Sequence, residues 1–293
     1  MSPHIRRRRA LALLPSLAAL AGLAGLSVAG TARAEEAQKY QFSPVNQYGL
    51  ELTARYWNPI IEYVSRKSGI KLELKIGRTS ADTTAYVIAK EVDFVFSNHL
   101  FSPDRESLGW RVFGRRQTPP IHSQILVLAD SPVQKLEQLS DQAVAFPGPE
   151  ALVAYKFPYA ELINRKIPVQ VVFGGNADGA YAQLVSGKVK AVGANSQLTE
   201  GWVKRENKTV RVLWQSAPLH DLALMVSRKV NDKDLAAVSQ AFFGMAADPQ
   251  GREVLAAASE LVKLPAKTAF VTSDGSEYSG YRAFYKSAPP NLR

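Results

Sequence analysis

The sequence predicts an α/β protein of two lobes, each a mostly parallel sheet flanked by helices, with two hinge crossings between them. Three observations lead there. Short β-branched and aromatic runs alternate with amphipathic stretches across short connections, the pattern of βαβ units and parallel sheets. A second such series begins near residue 140, after an apolar run at 121–129 that leaves the first series. A further run at 222–226 reads as a strand returning to the first. The expected division is residues 35–125 with 222–293 in lobe one and 126–221 in lobe two. The 293 residues, 46% of them hydrophobic, suffice for cores of that size.

The first segment stands apart from the fold. Four arginines at 6–9, an Ala/Leu/Gly-rich apolar stretch at 10–30 and Ala32-Arg33-Ala34 form the three parts of a cleavable export signal. Residues 1–34 therefore predict a periplasmic protein, exported by the Sec or the twin-arginine route. An N-terminal membrane anchor is the alternative, because the apolar stretch is about long enough to span. Removing 1–34 takes away five arginines and no acid, which halves the formal charge of +10. The remaining charges are mixed along the chain, so no nucleic-acid partner is expected. The chain has no cysteine, which excludes disulfides, thiol catalysis and thiolate metal sites.

In chain order, a strand over 39–42 exits at Asn46, Gln47 and Tyr48. Leu52, Tyr56, Trp57, Ile60, Ile61 and Val64 then recur at helical spacing up to Gly69, with Pro59 expected to kink or restart that helix. A strand at 71–77 runs into Arg78-Thr79-Ser80, where Thr79 or Ser80 is the expected cap of the next helix. The strand at 93–96 exits into Ser97-Asn98-His99. Strands at 110–113, 121–129 and 144–146 follow, and Pro147-Gly148-Pro149-Glu150 opens a helix through Leu162. Residues 169–173 form a strand stopped by Gly174-Gly175, then a helix capped by Asp178 and ended by Gly187. The strand after it runs out at Asn195-Ser196. A strand at 210–214, the return strand and helices at 232–245 and 250–261 complete the pattern, Pro249 suiting the first turn of the last helix. The aromatic tail with Tyr278, Tyr281, Phe284 and Tyr285 is expected to pack on lobe one.

In open α/β sheets, ligands bind beyond the carboxyl ends of the strands. That rule nominates Asn46, Gln47, Tyr48, Ser97, Asn98, His99, Asn176, Asp178, Asn195 and Ser196 as ligand-binding candidates. Arg78, at a strand exit, suits bidentate pairing with a carboxylate or phosphate, or is an ordinary exposed arginine at a helix start. Glu150 suits an ammonium group or stabilises the helix it opens. Tyr155 offers aromatic surface to a cleft or to a core. His99 is suited to donating to an oxyanion, to binding a metal or to packing. No metal-ligand spacing relates His99, His122 and His220, so neither metal nor cofactor is expected. The chain carries no G-x-S-x-G and no phosphate loop ending in Lys-Ser/Thr, which argues against an enzyme.

The lobe order resembles that of type II periplasmic solute-binding proteins, and the sequence is similar to the phosphate/phosphonate/phosphite-type binding proteins of ABC transporters. The likeness is carried by Tyr40-Gln41-Phe42-Ser43-Pro44 with the long helix after it and by Val92-Asp93-Phe94-Val95-Phe96-Ser97. Residues 173–194, Leu213-Trp214-Gln215-Ser216-Ala217-Pro218 and Asp248-Pro249-Gln250-Gly251 carry the rest. The resemblance implies a monomeric, non-enzymatic protein that traps a small oxyanionic ligand between its lobes and delivers it to an ABC permease. A membrane histidine kinase or chemoreceptor is the alternative partner. Two positions depart from the family pattern. The Ser/Thr-rich loop opening the lobe-two helix reads Pro147-Gly148-Pro149-Glu150-Ala151, and the family's Ser-His pair reads Asn176-Ala177.

Overall fold

The computed structural model describes residues 39–265 and 267–293, so the export segment read at 1–34 lies outside the described residues. Two sheets carry the chain. In the first, β1 (Lys39–Pro44) pairs in parallel with β2 (Lys71–Leu74) and β3 (Phe94–Ser97). Antiparallel β10 (Ala223–Val226), β4 (Arg111–Gln117) and β11 (Ala269–Thr272) extend it to the order β11-β4-β10-β3-β1-β2. In the second, β6 (Ala143–Phe146) pairs in parallel with β7 (Gln170–Phe173) and β8 (Ala191–Asn195). Antiparallel β5 (Ser123–Leu128) and β9 (Val210–Gln215) complete the order β7-β6-β8-β5-β9.

Each sheet is therefore mixed, and the reason is the connection. A parallel pair needs a helical crossover to bring the chain back to the same end, and β1, β2 and β3 or β6, β7 and β8 have one. Strands entered directly from the other sheet have none, so they run the opposite way. Two segments cross, 118–122 and 216–222, and they are tied to each other: the Ile121 N–H donates to the Leu219 carbonyl at 2.9 Å and the Leu219 N–H to the Ile121 carbonyl at 2.7 Å.

The first sheet is covered by α1 (Leu50–Ser68), whose buried stripe Tyr56, Trp57, Ile60, Ile61 and Val64 follows helical spacing. The Trp57 ring lies 5.0 Å from Phe42 and 5.1 Å from Phe96, so one indole joins the helix to two adjacent strands. Gly69 ends the helix at φ 73°, a left-handed conformation that glycine adopts without penalty. The helices α7 (Asp232–Gly244) and α8 (Pro249–Val262) pack beside α1; Asp248 caps α8 by accepting from Gln250 and Gly251, with Pro249 in the first turn. In the second lobe, Tyr181 of α5 (Ala177–Val185) stacks on Trp202 of α6 (Ser196–Glu206) at 4.5 Å.

Several local expectations are corrected. Pro59 neither restarts nor divides α1. Its missing N–H would have paired with the Arg55 carbonyl, and Arg55 is exposed, so water can serve there. Neither Thr79 nor Ser80 caps α2 (Asp82–Ile88): the Asp82 carboxylate folds back and accepts the N–H groups of Arg78 at 2.6 Å and Thr79 at 2.9 Å. Asn176, not Asp178, caps α5, accepting the Gly179 N–H at 2.9 Å, because the turn at Gly175 (φ 84°) starts the helix earlier. The helix expected from residue 147 begins at Leu152. Its first turn, Leu152–Lys156, is π-helical and leads into α4 (Phe157–Asn164). Pro158 has no N–H to return to Ala154, and the wider turn accommodates that.

The tail does pack on the first sheet, where Tyr278 stacks on Phe101 at 4.7 Å and Tyr281 and Tyr285 join Val95 and Met225. It also goes further than expected. In α9 (Ser279–Ser287), Phe284 stacks on Phe157 of α4 at 4.3 Å, and Leu292 packs with Ala160, so the tail ties the two lobes together.

Candidate functional site

The exits of β1, β3, β6 and β8 converge on one cavity of about 40 Å³, walled from the first lobe by Val45, Asn46, Gln47, Ser80, Asn98 and His99. Pro147, the start of the π-helical turn (Ala151, Leu152, Val153, Ala154), Ala177, Asn195 and Leu198 wall it from the second, with Leu222 between. One water needs ~10–15 Å³ on this scale, so the space holds roughly three or four water-sized groups, about the number of substituents around one small tetrahedral centre. The lobes meet directly around it. The Ser80 N–H donates to the Gly175 carbonyl at 2.8 Å and the Ala177 N–H to the Gln47 carbonyl at 3.3 Å. A Cβ at Gly148 would lie 2.8 Å from Ser80 Oγ, so glycine is what lets that loop close over Ser80.

The polar wall is biased toward donors because three of its four side-chain amide oxygens, those of Asn46, Gln47 and Asn195, are already engaged. Asn46 Oδ1 accepts from Thr53 Oγ1, Gln47 Oε1 from Arg116 at 3.4 Å, and Asn195 Oδ1 from the Gln197 N–H at 2.9 Å. Their amide nitrogens keep N–H bonds to give, Asn46 after one donation to the Gly77 carbonyl. Ser80 Oγ is buried, 2% exposed at the residue, and has no hydrogen-bond partner. Opposite it, the N–H groups of Leu152, Val153 and Ala154 begin a helical run that continues to Asn164, and the first N–H groups of a helix have no intrahelical acceptor. Such an end favours negative charge. What the arrangement can do chemically is hold a compact oxyanion by many hydrogen bonds.

Charge is kept out of the wall. Burial pushes the His99 imidazole down to about 3, against the nearby Glu150 carboxylate and with Arg105 and Lys156 adding to the shift. His99 is therefore neutral at ordinary pH, with Nδ1 3.1 Å from Thr84 Oγ1. Beyond it, Arg105 of α3 (Pro103–Glu106) pairs with Glu150 from the other lobe and donates to the His99 carbonyl at 2.9 Å. Burial would raise Glu150, but the Arg105 hydrogen bond and charge outweigh it and hold the carboxyl below its usual range. On another side, Asp178 pairs with Arg205 at 2.7 Å and accepts the Gly49 N–H at 3.0 Å, capping α1 from the opposite lobe. Behind Gln47, the fully buried Arg116 pairs with Asp221 at 2.7 Å and donates to Tyr56 and to Gln197 of the other lobe.

Of the sequence-nominated residues, Asn46, Gln47, Asn98, His99 and Asn195 are brought together on the wall. The others stand elsewhere. Ser97 accepts the His99 N–H, Asn176 caps α5, and Ser196 accepts the His122 N–H at 2.9 Å. Glu150 and Asp178 are held by Arg105 and Arg205, and Tyr48 is buried under the Arg205 guanidinium. Tyr155 stacks on Tyr159 at 5.4 Å in the second lobe, and Arg78 is exposed. Sequence reasoning passed over Ser80, although the strand-exit rule that nominated Arg78 covers it, and over Ala151, Leu152, Val153 and Ala154, whose contribution is backbone and leaves no side-chain signature. Among the described residues no cluster of three or more His, Asp or Glu is placed to hold a metal, and no helix is long and apolar enough to cross a membrane.

A family model described as the periplasmic substrate-binding protein of the phosphonate ABC transporter matches residues 42–278. Among solved structures, a binding protein component of an ABC phosphonate transporter from Pseudomonas aeruginosa aligns at TM-score 0.71 and 14% identity, covering 86% of this chain and 87% of that one. A methylphosphonate complex of a protein from Prochlorococcus marinus aligns at 0.69 and 12%, covering 85% and 97%. An ATP-bound protein from Xanthomonas citri aligns at 0.64 and 14%, covering 85% and 98%. At these identities the structures speak for the fold alone. No curated protein sequence matches.

Proposed function

The chain belongs to the periplasmic substrate-binding proteins of phosphonate ABC transporters, and from that premise we propose that its cavity captures a small tetrahedral oxyanion of the size of methylphosphonate or phosphite. The observation that carries this reading is Ser80 Oγ, buried and unpartnered on a wall where the amide oxygens of Asn46, Gln47 and Asn195 are engaged, opposite the start of a helix. The wall donors Gln47, Asn195, Ser80 and His99, with the N–H groups of Leu152, Val153 and Ala154, surround the oxyanion, and the apolar Val45, Leu198 and Leu222 face its substituent. Methylphosphonate, bound by the Prochlorococcus protein, fits the cavity's size.

Capture works by closure about the segments 118–122 and 216–222. The moving bodies are residues 35–125 with 222–293 and residues 126–221, and the closed monomer presents its ligand to a membrane permease after export and removal of residues 1–34. Closure brings donors from both lobes onto one ligand and removes water, which strengthens each hydrogen bond.

Thermal unfolding of the purified chain with methylphosphonate, phosphite, phosphate and sulfate tests the capture. At a ligand concentration one hundred times its Kd, binding adds about 2.7 kcal/mol to stability and raises the Tm. Ser80→Ala is expected to weaken binding about ten- to a hundredfold, the worth of one hydrogen bond to a charged group. No Tm rise with any of the four oxyanions would overturn the reading.

A further inference from the structure

Resting on that reading, we infer that the cavity selects by charge state: it takes a tetrahedral oxyanion bearing one negative charge and rejects the same oxyanion once it bears two. The wall contains neither lysine nor arginine. The arginines around it are each spent on a carboxylate, Arg105 on Glu150, Arg116 on Asp221 and Arg205 on Asp178, so each pair contributes no net charge. Two positive features remain. The helix that starts at the wall presents the equivalent of roughly half a charge at its N-terminus. Lys156, in the first turn of the same helix, is buried with its ammonium 5.0 Å from the Tyr285 ring centroid. Together they amount to about one and a half positive charges, enough to offset one negative charge and short of two. A second charge finds no further cation on the wall, and an incompletely compensated buried charge is costly.

Phosphoryl oxyanions lose a proton close to neutrality, so one ligand can be offered in both charge states. A sulfonate of the same shape keeps a single charge throughout. The groups facing the cavity from each packed element do not reproduce that behaviour. On the β3 exit, His99 is already neutral well above its depressed range. Arg105 on α3, and Glu150 on the loop before the helix, are paired. Burial pushes Lys156 below its usual range and Tyr285 on α9 above its own, and the pairs Arg116–Asp221 and Arg205–Asp178 lie behind Gln47 and beside α5.

The experiment is isothermal titration calorimetry of the full mature chain with methylphosphonate and with methanesulfonate, between about pH 5.5 and 8.5. The expected result is binding of both, with methanesulfonate affinity flat and methylphosphonate affinity falling about tenfold per pH unit above the ligand's second ionisation. A methylphosphonate affinity that stays level or rises with pH overturns charge-state selection and leaves oxyanion capture standing. Parallel falls for both ligands overturn it too, since a protein group would then be titrating. Binding of methylphosphonate with refusal of methanesulfonate at every pH also overturns it, because shape and charge are shared at low pH. Failure of both ligands at every pH removes the underlying reading and this inference with it.

Discussion

The hinge and the cavity wall lie side by side and are built from opposite materials. At the hinge, Arg116 and Asp221 form an ion pair in which both side chains are almost wholly buried. The guanidinium also reaches Tyr56 on α1, Gln47 on the wall and Gln197 on the second lobe. On the wall, a few angstroms away, the polar groups are amides, a hydroxyl, a neutral imidazole and backbone N–H groups. A buried pair is directional and punishes misalignment, which suits a point where two crossings and two lobes must keep register. A neutral wall leaves the positive potential of a helix end uncancelled for the ligand. Had the wall carried its own ion pair, the ligand would have had to displace a carboxylate before it could bind.

The strongest way to break the contrast is Asp221→Asn, which leaves Arg116 charged and buried among neutral acceptors. The expected loss is about 3–5 kcal/mol in urea unfolding. A loss below about 1 kcal/mol would show the hinge pair to be screened like a surface pair, and the contrast with the wall would disappear.

A smaller effect comes from Asp178, which belongs to the second lobe yet serves the first. Gly49 gives α1 no side-chain cap of its own, and the Asp178 carboxylate accepts the Gly49 N–H across the interface. Asp178→Ala should cost at least about 1 kcal/mol, the usual worth of a helix cap, with the lost Arg205 partner adding to it, read as a lower thermal midpoint. An unchanged midpoint would mean that water caps α1 equally well.

The smallest effect is electrostatic and sits at the rim. The folded Glu150 carboxyl titrates below its unfolded range, so its pairing with Arg105 contributes fully above that ordinary range and is lost as pH falls through the depressed folded value. With both side chains about one-fifth exposed, the contribution is about 1 kcal/mol or less. Acid unfolding of Glu150→Gln against the parent checks it: the two curves should differ above pH ~5 and converge in acid. Curves that stay parallel into acid would exclude the Arg105 pair as the source.

The five nominated residues that reached the wall were legible because strand exits are local features: Asn46, Gln47, Asn98, His99 and Asn195 each follow a short apolar run. Of the eight that did not, several were drawn off by partners distant in sequence or by a local cap, while Ser97 and Tyr155 found near neighbours and Arg78 stayed exposed. Glu150 is taken by Arg105 and Asp178 by Arg205, and neither pairing has a spacing to read. Asn176 and Ser80 exchanged expectations for a local reason, since a shift of helix start by one or two residues decides which side chain caps and which is left free.

By itself, then, the sequence determined ten of the eleven strands, most helices, the order of lobes and the family, because apolar periodicity, turn residues and caps act over a few positions; the short edge strand Ala269–Thr272 escaped it. The tertiary structure decided what the wall offers. An amide presents a donor or an acceptor according to which of its ends is already bonded, and for Asn46 and Gln47 those bonds come from Thr53 and Arg116, on other elements. Only folding brings Thr53 and Arg116 to them, and only then is the cavity donor-rich and free of cations.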